Sequence, residues 1–256
     1  DGCDTEKPRP SGTAGVLYDV IWKYSLSKQY FYDLLKARAD DLDDLPPATL
    51  NALIAYCTST SATLVQLSMD ILEGGGKGYS LTPAASDCGI AWALSGIIRS
   101  IPFQTSQTSR GRCMLPMENL REAGIDWQEV SADSQPSALR DCVHMLADEA
   151  QRRIQNARQA SKTLPKSSIP SLLSIPLATH YQKQIVKVDY NAFDERLQHS
   201  HSPLKTLALL YAGWRKKSEF YRGRNRISSN ADTCGKMVPD CALCSMMAPR
   251  LSSGKP

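Results

Sequence analysis

Residues 136–162 read PSALRDCVHMLADEAQRRIQNARQASK, and within them Leu139, Val143, Leu146, Ala147, Ala150, Ile154 and Ala157 recur at the 3.6-residue helical period. The stretch carries no alternation of β-branched residues, so it predicts one long amphipathic helix that buries this stripe. Its other side, Asp141, Asp148, Glu149, Arg152 and Arg153, is expected to be a solvated face.

The same period recurs on both sides. Val16, Leu17, Val20, Ile21 and Tyr24 mark one helix; after Ser25-Leu26-Ser27, Tyr30, Phe31, Leu34 and Leu35 mark a second. A long helix over 47–73 is expected to bury Leu50, Leu53, Ile54, Cys57, Ser61, Leu64, Leu67 and Ile71 and to stop at Gly74-Gly75-Gly76. Another is expected over 83–101, ended by Pro102. A polar loop 103–113 leads to a short helix that Leu115-Pro116 starts and Gly124 closes. Pro165, Pro170 and Pro176 punctuate short helical pieces, and 204–221 reads as a last helix through Leu207, Leu210, Tyr211 and Trp214. About eight helices and no convincing strand predict an all-α single domain. The domain is placed at 14–221, between a polar leader 1–13 and an irregular, cysteine-containing tail 222–256 without aromatic residues.

Composition agrees. At 256 residues and 42% hydrophobic content the chain can bury a core, which excludes disorder as the overall reading. A net charge of +4, without a basic block, gives no support to a dedicated nucleic-acid binder. No run approaches the roughly eighteen apolar residues of a membrane span, and the polar start Asp1-Gly2-Cys3-Asp4 is unlike a signal peptide.

The residues offer few chemical sites. Of eight cysteines, Cys57, Cys88, Cys113 and Cys142 lie in apolar helical stretches and read as reduced core residues. Cys234, Cys241 and Cys244 contain one CxxC, half of a zinc site, with no fourth ligand at a familiar spacing. His144, His180, His199 and His201 make no metal spacing. Gly74-Gly75-Gly76-Lys77-Gly78 follows a helix instead of preceding one, so it reads as a stop and not as a phosphate cradle. Arg99, Arg110 and Arg112 are the basic residues nearest to a pocket-like grouping. Asp40, Asp41 and Asp44 within DDLDD have the spacing that holds Mg²⁺ on a diphosphate when it lies on a helix, but Pro46-Pro47 follows directly, which favours a capping, solvated turn.

Several strings, taken in order, resemble the squalene/phytoene synthase family, and within it a non-catalytic mitochondrial branch. They are Ala37 to Asp44 followed by Tyr56-Cys57; Gly89-Ile90-Ala91 through Ile98-Arg99-Ser100-Ile101-Pro102-Phe103; Arg112 to Glu118 with Gly124; and Ile185 to Phe193 with Leu210 to Lys216. The resemblance covers about 16–221 and implies the all-α isoprenoid-synthase bundle, without its N-terminal helices. In catalytic members the second aspartate-rich motif reads N-x-x-R-D-x-x-x-D. Arg99 matches the arginine, while Gly96, Ser100 and Gln104 stand in the asparagine and aspartate positions. Without those carboxylates Mg²⁺ has no second clamp on the leaving group, so the resemblance implies a pseudoenzyme.

The resemblance further implies a mitochondrial protein, peripheral to the inner membrane on its matrix side, that binds respiratory subunits, above all those of complex I, as an assembly factor or accessory subunit. It implies no cofactor, while leaving room for a bound lipid or isoprenoid. A separate chain that supplies the absent helices is a further implied partner, and 16–101 should then expose an apolar face. Two alternatives stand beside this: a Mg²⁺-dependent prenyl-diphosphate enzyme using Asp40, Asp41 and Asp44, and a scaffold of another large mitochondrial assembly docked through Arg215, Lys216, Lys217, Arg222, Arg224 and Arg226.

Overall fold

The computed structural model describes residues 11–43, 45–104, 113–130 and 137–198. By its contacts the chain divides into Asp1–Gly213 and Trp214–Pro256, and all that follows concerns the first. The leader through residue 10, Asp44, Arg110, Arg112, His199, His201, the helix expected over 204–221, the basic residues from Arg215 and the cysteines Cys234, Cys241 and Cys244 lie outside the described residues.

Every regular element among the described residues is helical. α1 (Gly12–Lys23) begins close to the expected onset at Ala14. It ends at Tyr24 and Ser25, the latter with φ +49°. Ser27 then caps α2 (Lys28–Asp40) by accepting from the Gln29 N–H. Thr49 does the same for α3 (Leu50–Cys57), taking the Ala52 N–H at 3.1 Å.

The single helix expected over 47–73 is interrupted. Between α3 and α4 (Thr63–Leu72) the chain makes a π turn, Thr58–Ala62. Here Thr58, Thr60 and Thr63 hydroxyls donate to the carbonyls of Ile54, Tyr56 and Thr58, competing with backbone donors and loosening the ladder. The extra residue rotates everything after it. Thr60, Thr63, Gln66 and Asp70 are therefore buried, while Leu64, expected inside, is 50% exposed. The glycine stop is where the sequence places it: Gly74 has φ +90°, and the Gly75 N–H closes on the Asp70 carbonyl at 3.0 Å.

α5 (Pro83–Gln104) is the central element, buried along Ala84, Ala85, Cys88, Gly89, Ile90, Ala91, Leu94, Ser95, Ile97, Ile98 and Ile101. It does not end at Pro102, as expected, but runs one short turn further. The proline removes the N–H that would reach Ile98. The turn survives because Ile101 is fully buried and Gln104 donates to the Ser100 hydroxyl at 2.7 Å. α6 (Met117–Glu122) follows and is closed, as expected, by Gly124 at φ +68°. α7 (Ser137–Ala160) is the long amphipathic helix, and its apolar stripe is buried.

The expectation of short pieces near Pro176 is corrected by α8 (Ser174–Lys187), fourteen residues long. Pro176 stands in its first turn, where an absent N–H leaves no intrahelical bond unmade. α9 (Glu195–Gln198) completes the described set.

α3, α5, α7 and α8 enclose the main core of Leu53, Ile90, Leu94, Ile98, Val143, Leu146 and Ile185. A second cluster joins Met69, Ala85, Ile154 and Leu172, and a third joins Leu26, Tyr30 and Leu67 under α1 and α2. No helix among the described residues is long and apolar enough to cross a membrane.

Candidate functional site

Gly96, Arg99, Ser100 and Gln104 share one side of α5 at helical spacing. Gly96 is exposed, and a side chain built there would meet nothing within 4 Å. The Arg99 guanidinium lies 4.1 Å from the centre of the Tyr181 ring, a cation–π contact, and its Nε donates to the Leu197 carbonyl at 3.4 Å. Trp92 packs on the same tyrosine, 6.0 Å between centroids.

Ser100 donates to the Ile97 carbonyl at 2.9 Å and accepts from Gln104. The Gln104 carbonyl oxygen then accepts the Met114 N–H at 3.2 Å. Ser100 and Gln104 thus present a hydroxyl and an amide, engaged with the backbone and with each other. Neither is a carboxylate, the side chain through which proteins usually hold Mg²⁺ on a phosphate substrate. Replacing Gln104 by leucine strands the Met114 N–H, and we expect a loss of about 1–2 kcal/mol in urea denaturation, the usual cost of an orphaned buried donor.

The acidic stretch is divided. Asp40 is the exposed last residue of α2, and Asp41 begins a 3₁₀ turn, Asp41–Asp43. Asp41 Oδ2 accepts from Arg38 Nη1 at 3.0 Å and from the Tyr56 hydroxyl at 3.1 Å, and Arg38 also donates to that hydroxyl at 2.8 Å. Asp41 is thereby committed to a local triad. A cleft of about 490 Å³ opens beside it, with Asp33, Lys36, Asp40, Leu45, Tyr56 and Met114 in its wall. Asp40 borders this cleft directly, while Gln104 is outside its wall and linked to it through the Met114 N–H. No group of three His, Cys, Asp or Glu side chains that could hold a metal occurs among the described residues.

Cys57, Cys88, Cys113 and Cys142 are free and buried, as the sequence leads one to expect. Burial pushes the Cys57 thiol up to about 12 and those of Cys88 and Cys113 to about 11, which removes them from thiolate chemistry. His144 faces Asp148 at 3.5 Å and packs on Tyr190.

One charged cluster contradicts the sequence reading. Glu149 and Arg153 were expected on a solvated face, yet their side chains are only 11% and 19% accessible. Arg153 bridges Glu149 at 2.7 Å and Asp87 of α5 at 3.0 Å. Burial alone would raise the Glu149 carboxyl, but hydrogen bonds from Arg152 and Arg153 outweigh it and hold it below the usual range. A lone aspartate in the apolar run 83–101 was the available signal for this pair.

Apart from Phe103 and Val186, the large apolar side chains exposed among the described residues lie between Val16 and Trp92.

The family model described as "Squalene/phytoene synthase" matches residues 1–202. Among similar proteins are "NADH dehydrogenase (ubiquinone) complex I, assembly factor 6" of Mus musculus, 27% identical over 215 residues, and that of Homo sapiens, 27% over 214; each alignment covers 84% of this chain and 62% of the relative. The chain therefore spans about 62% of the length of these relatives. "Phytoene synthase 1, chloroplastic" of Solanum lycopersicum is 26% identical over 204 residues, 77% of this chain and 49% of that one. The fold is similar to the crystal structure of squalene synthase HpnC from Alicyclobacillus acidocaldarius, with TM-score 0.61, 19% identity and coverage of 72% and 69%. A dehydrosqualene synthase structure also aligns at TM-score 0.61, with 21% identity and coverage of 83% and 72%.

Proposed function

The chain belongs to the squalene/phytoene synthase family, and from that membership we propose that it acts by binding, as an assembly factor for complex I of the respiratory chain, with no prenyl-diphosphate chemistry of its own. The observation that carries the proposal is the Ser100–Gln104–Met114 hydrogen-bond chain where a synthase would need carboxylates. A diphosphate leaving group departs only when its charge is neutralised, and this side of α5 offers no anionic ligand for the metal that would do so. The similarity to complex I assembly factor 6 supports the choice of partner.

The proposal places the protein in the mitochondrion, peripheral to the matrix side of the inner membrane. It also includes a partner that covers α1 and α2, where Val16 is 64% and Leu35 65% exposed.

Depleting the protein from cells and resolving respiratory complexes on native gels tests this reading: complex I should fall while the other complexes hold. Crosslinks from α1 and α2 should reach respiratory subunits. Purified protein that turns over farnesyl or geranylgeranyl diphosphate with Mg²⁺, or that sediments with ribosomal particles, would overturn it.

A further inference from the structure

Asp70, in the last turn of α4, is 6% exposed. Its Oδ1 accepts from Gln66 Nε2 at 2.8 Å. The Gln66 amide cannot turn over, because its own oxygen accepts the Thr82 N–H at 2.8 Å and the Thr82 hydroxyl at 2.9 Å. The other carboxyl oxygen, Oδ2, has no hydrogen-bond partner among the described residues. It lies 3.6 Å from the point where a Cβ on Gly76 would stand, and the Ser25 carbonyl oxygen lies 2.9 Å from that same point. Two oxygens from distant parts of the chain thus flank one notch. Both accept, and neither can satisfy the other unless one carries a proton.

Around the notch, the α4–α5 loop is tied to the α1–α2 arm. The Gly76 N–H donates to the Tyr24 carbonyl at 2.7 Å, and the Tyr30 hydroxyl of α2 donates to the Ser80 carbonyl at 2.9 Å. The titratable groups near Asp70 are few. Glu73, one turn on, is paired with Lys77 at 2.8 Å and accepts from Ser168; Lys77 is exposed; Tyr30 faces from α2. The α1–α2 junction brings the Ser25 carbonyl, and α5 with its preceding residue brings Thr82; neither titrates.

We propose that Asp70 binds a proton in the folded protein and donates it across the Gly76 notch to the Ser25 carbonyl, so that this carboxyl is a proton-dependent latch holding the α1–α2 arm to the α4–α5 loop. Burial raises the carboxyl above its ordinary range; the Gln66 hydrogen bond opposes this, the Glu73 charge adds to it and Lys77 opposes it. An acid whose folded value is raised stabilises fully below the unfolded carboxylate range, and that stabilisation is lost as pH rises toward and through the folded value. The arm it holds carries Val16, Leu17, Trp22, Tyr32 and Leu35, so the latch controls how firmly the exposed apolar face is presented.

The test uses the whole chain labelled with ¹³C at aspartate carboxyls, titrated by NMR, together with hydrogen exchange of amides 12–40 corrected for intrinsic rate at each pH. Asp70 should titrate above the ordinary aspartate range. Arm protection should fall as Asp70 ionises and return when the pH is lowered again. In Asp70→Asn, whose amide can donate where the acid did, the protection should stay flat. Gly76→Ala, which drives a Cβ against the Ser25 carbonyl, should lose arm protection at every pH. Asp70 titrating within the ordinary aspartate range would overturn the proposal, as would one pH dependence shared by wild type and Asp70→Asn. If Asp70→Asn does not fold, the wild-type titration decides alone.

Discussion

Gly89→Ala should destabilise the helical unit by about 3 kcal/mol or more, the upper end of overpacking costs, and should reduce the yield of folded protein sharply. A Cβ on Gly89 would fall inside van der Waals contact of the Ala62 Cα and N and stand 2.7 Å from the Ser61 carbonyl carbon. These are backbone atoms of the π turn, so no rotamer change relieves the clash. α5 must move off the turn, which opens the core around fully buried Cys57, Cys88 and Ala62. Helix propensity alone would make the same change favourable by about 1 kcal/mol, so the sign of the result separates packing from propensity. Gly96→Ala is the control, because it meets nothing within 4 Å and should be neutral or slightly stabilising. Thermal denaturation of the pair checks both, and a stable Gly89→Ala protein would mean that α5 does not approach the turn this closely.

Arg153→Ala should cost about 3 kcal/mol, because it leaves Asp87 largely buried without its cation and leaves Glu149 to Arg152 alone. That figure sits at the lower end for breaking a buried pair because Arg153 keeps 19% of its side chain accessible. Removing all three charges with Asp87→Asn, Glu149→Gln and Arg153→Met should cost far less than the single change, since the penalty lies in the buried Asp87 carboxylate left without a cation and not in the lost attraction. Urea denaturation of single and triple variants, compared as a cycle, reads this directly. The pH dependence has a definite sign. Glu149 is held below its ordinary range, so its stabilisation is present above the unfolded carboxylate range and is lost as pH falls through it. Asp70 works in the opposite sense, and the two slopes can be separated with Arg153→Ala and Asp70→Asn.

Both clusters explain where sequence reasoning stopped. Glu149 and Arg153 stand four apart on α7, a spacing equally suited to an exposed pair. Only the position of Asp87, 66 residues away, turns them inward. Asp70 gives no signal because the apolar stripe of an unbroken helix runs through Leu64, which is 50% exposed, as well as through Leu67, which is buried. The π turn at Thr58–Ala62 moves that register. By contrast, the buried stripe of α7 was legible residue by residue, because no break interrupts its period.

The sequence by itself determined the helical class and the stops at Gly74 to Gly76 and at Gly124, and it places a hydroxyl and an amide at Ser100 and Gln104. These are properties of local periodicity, backbone freedom and side-chain identity, and they need no knowledge of neighbours. Only the tertiary structure decided which charges are buried, that Gln104 reaches the Met114 N–H behind the Asp40 cleft, and that Gly89 is where two backbones meet. Burial and pairing depend on which helix arrives opposite a residue, and residues far apart in the chain carry no periodic mark of one another.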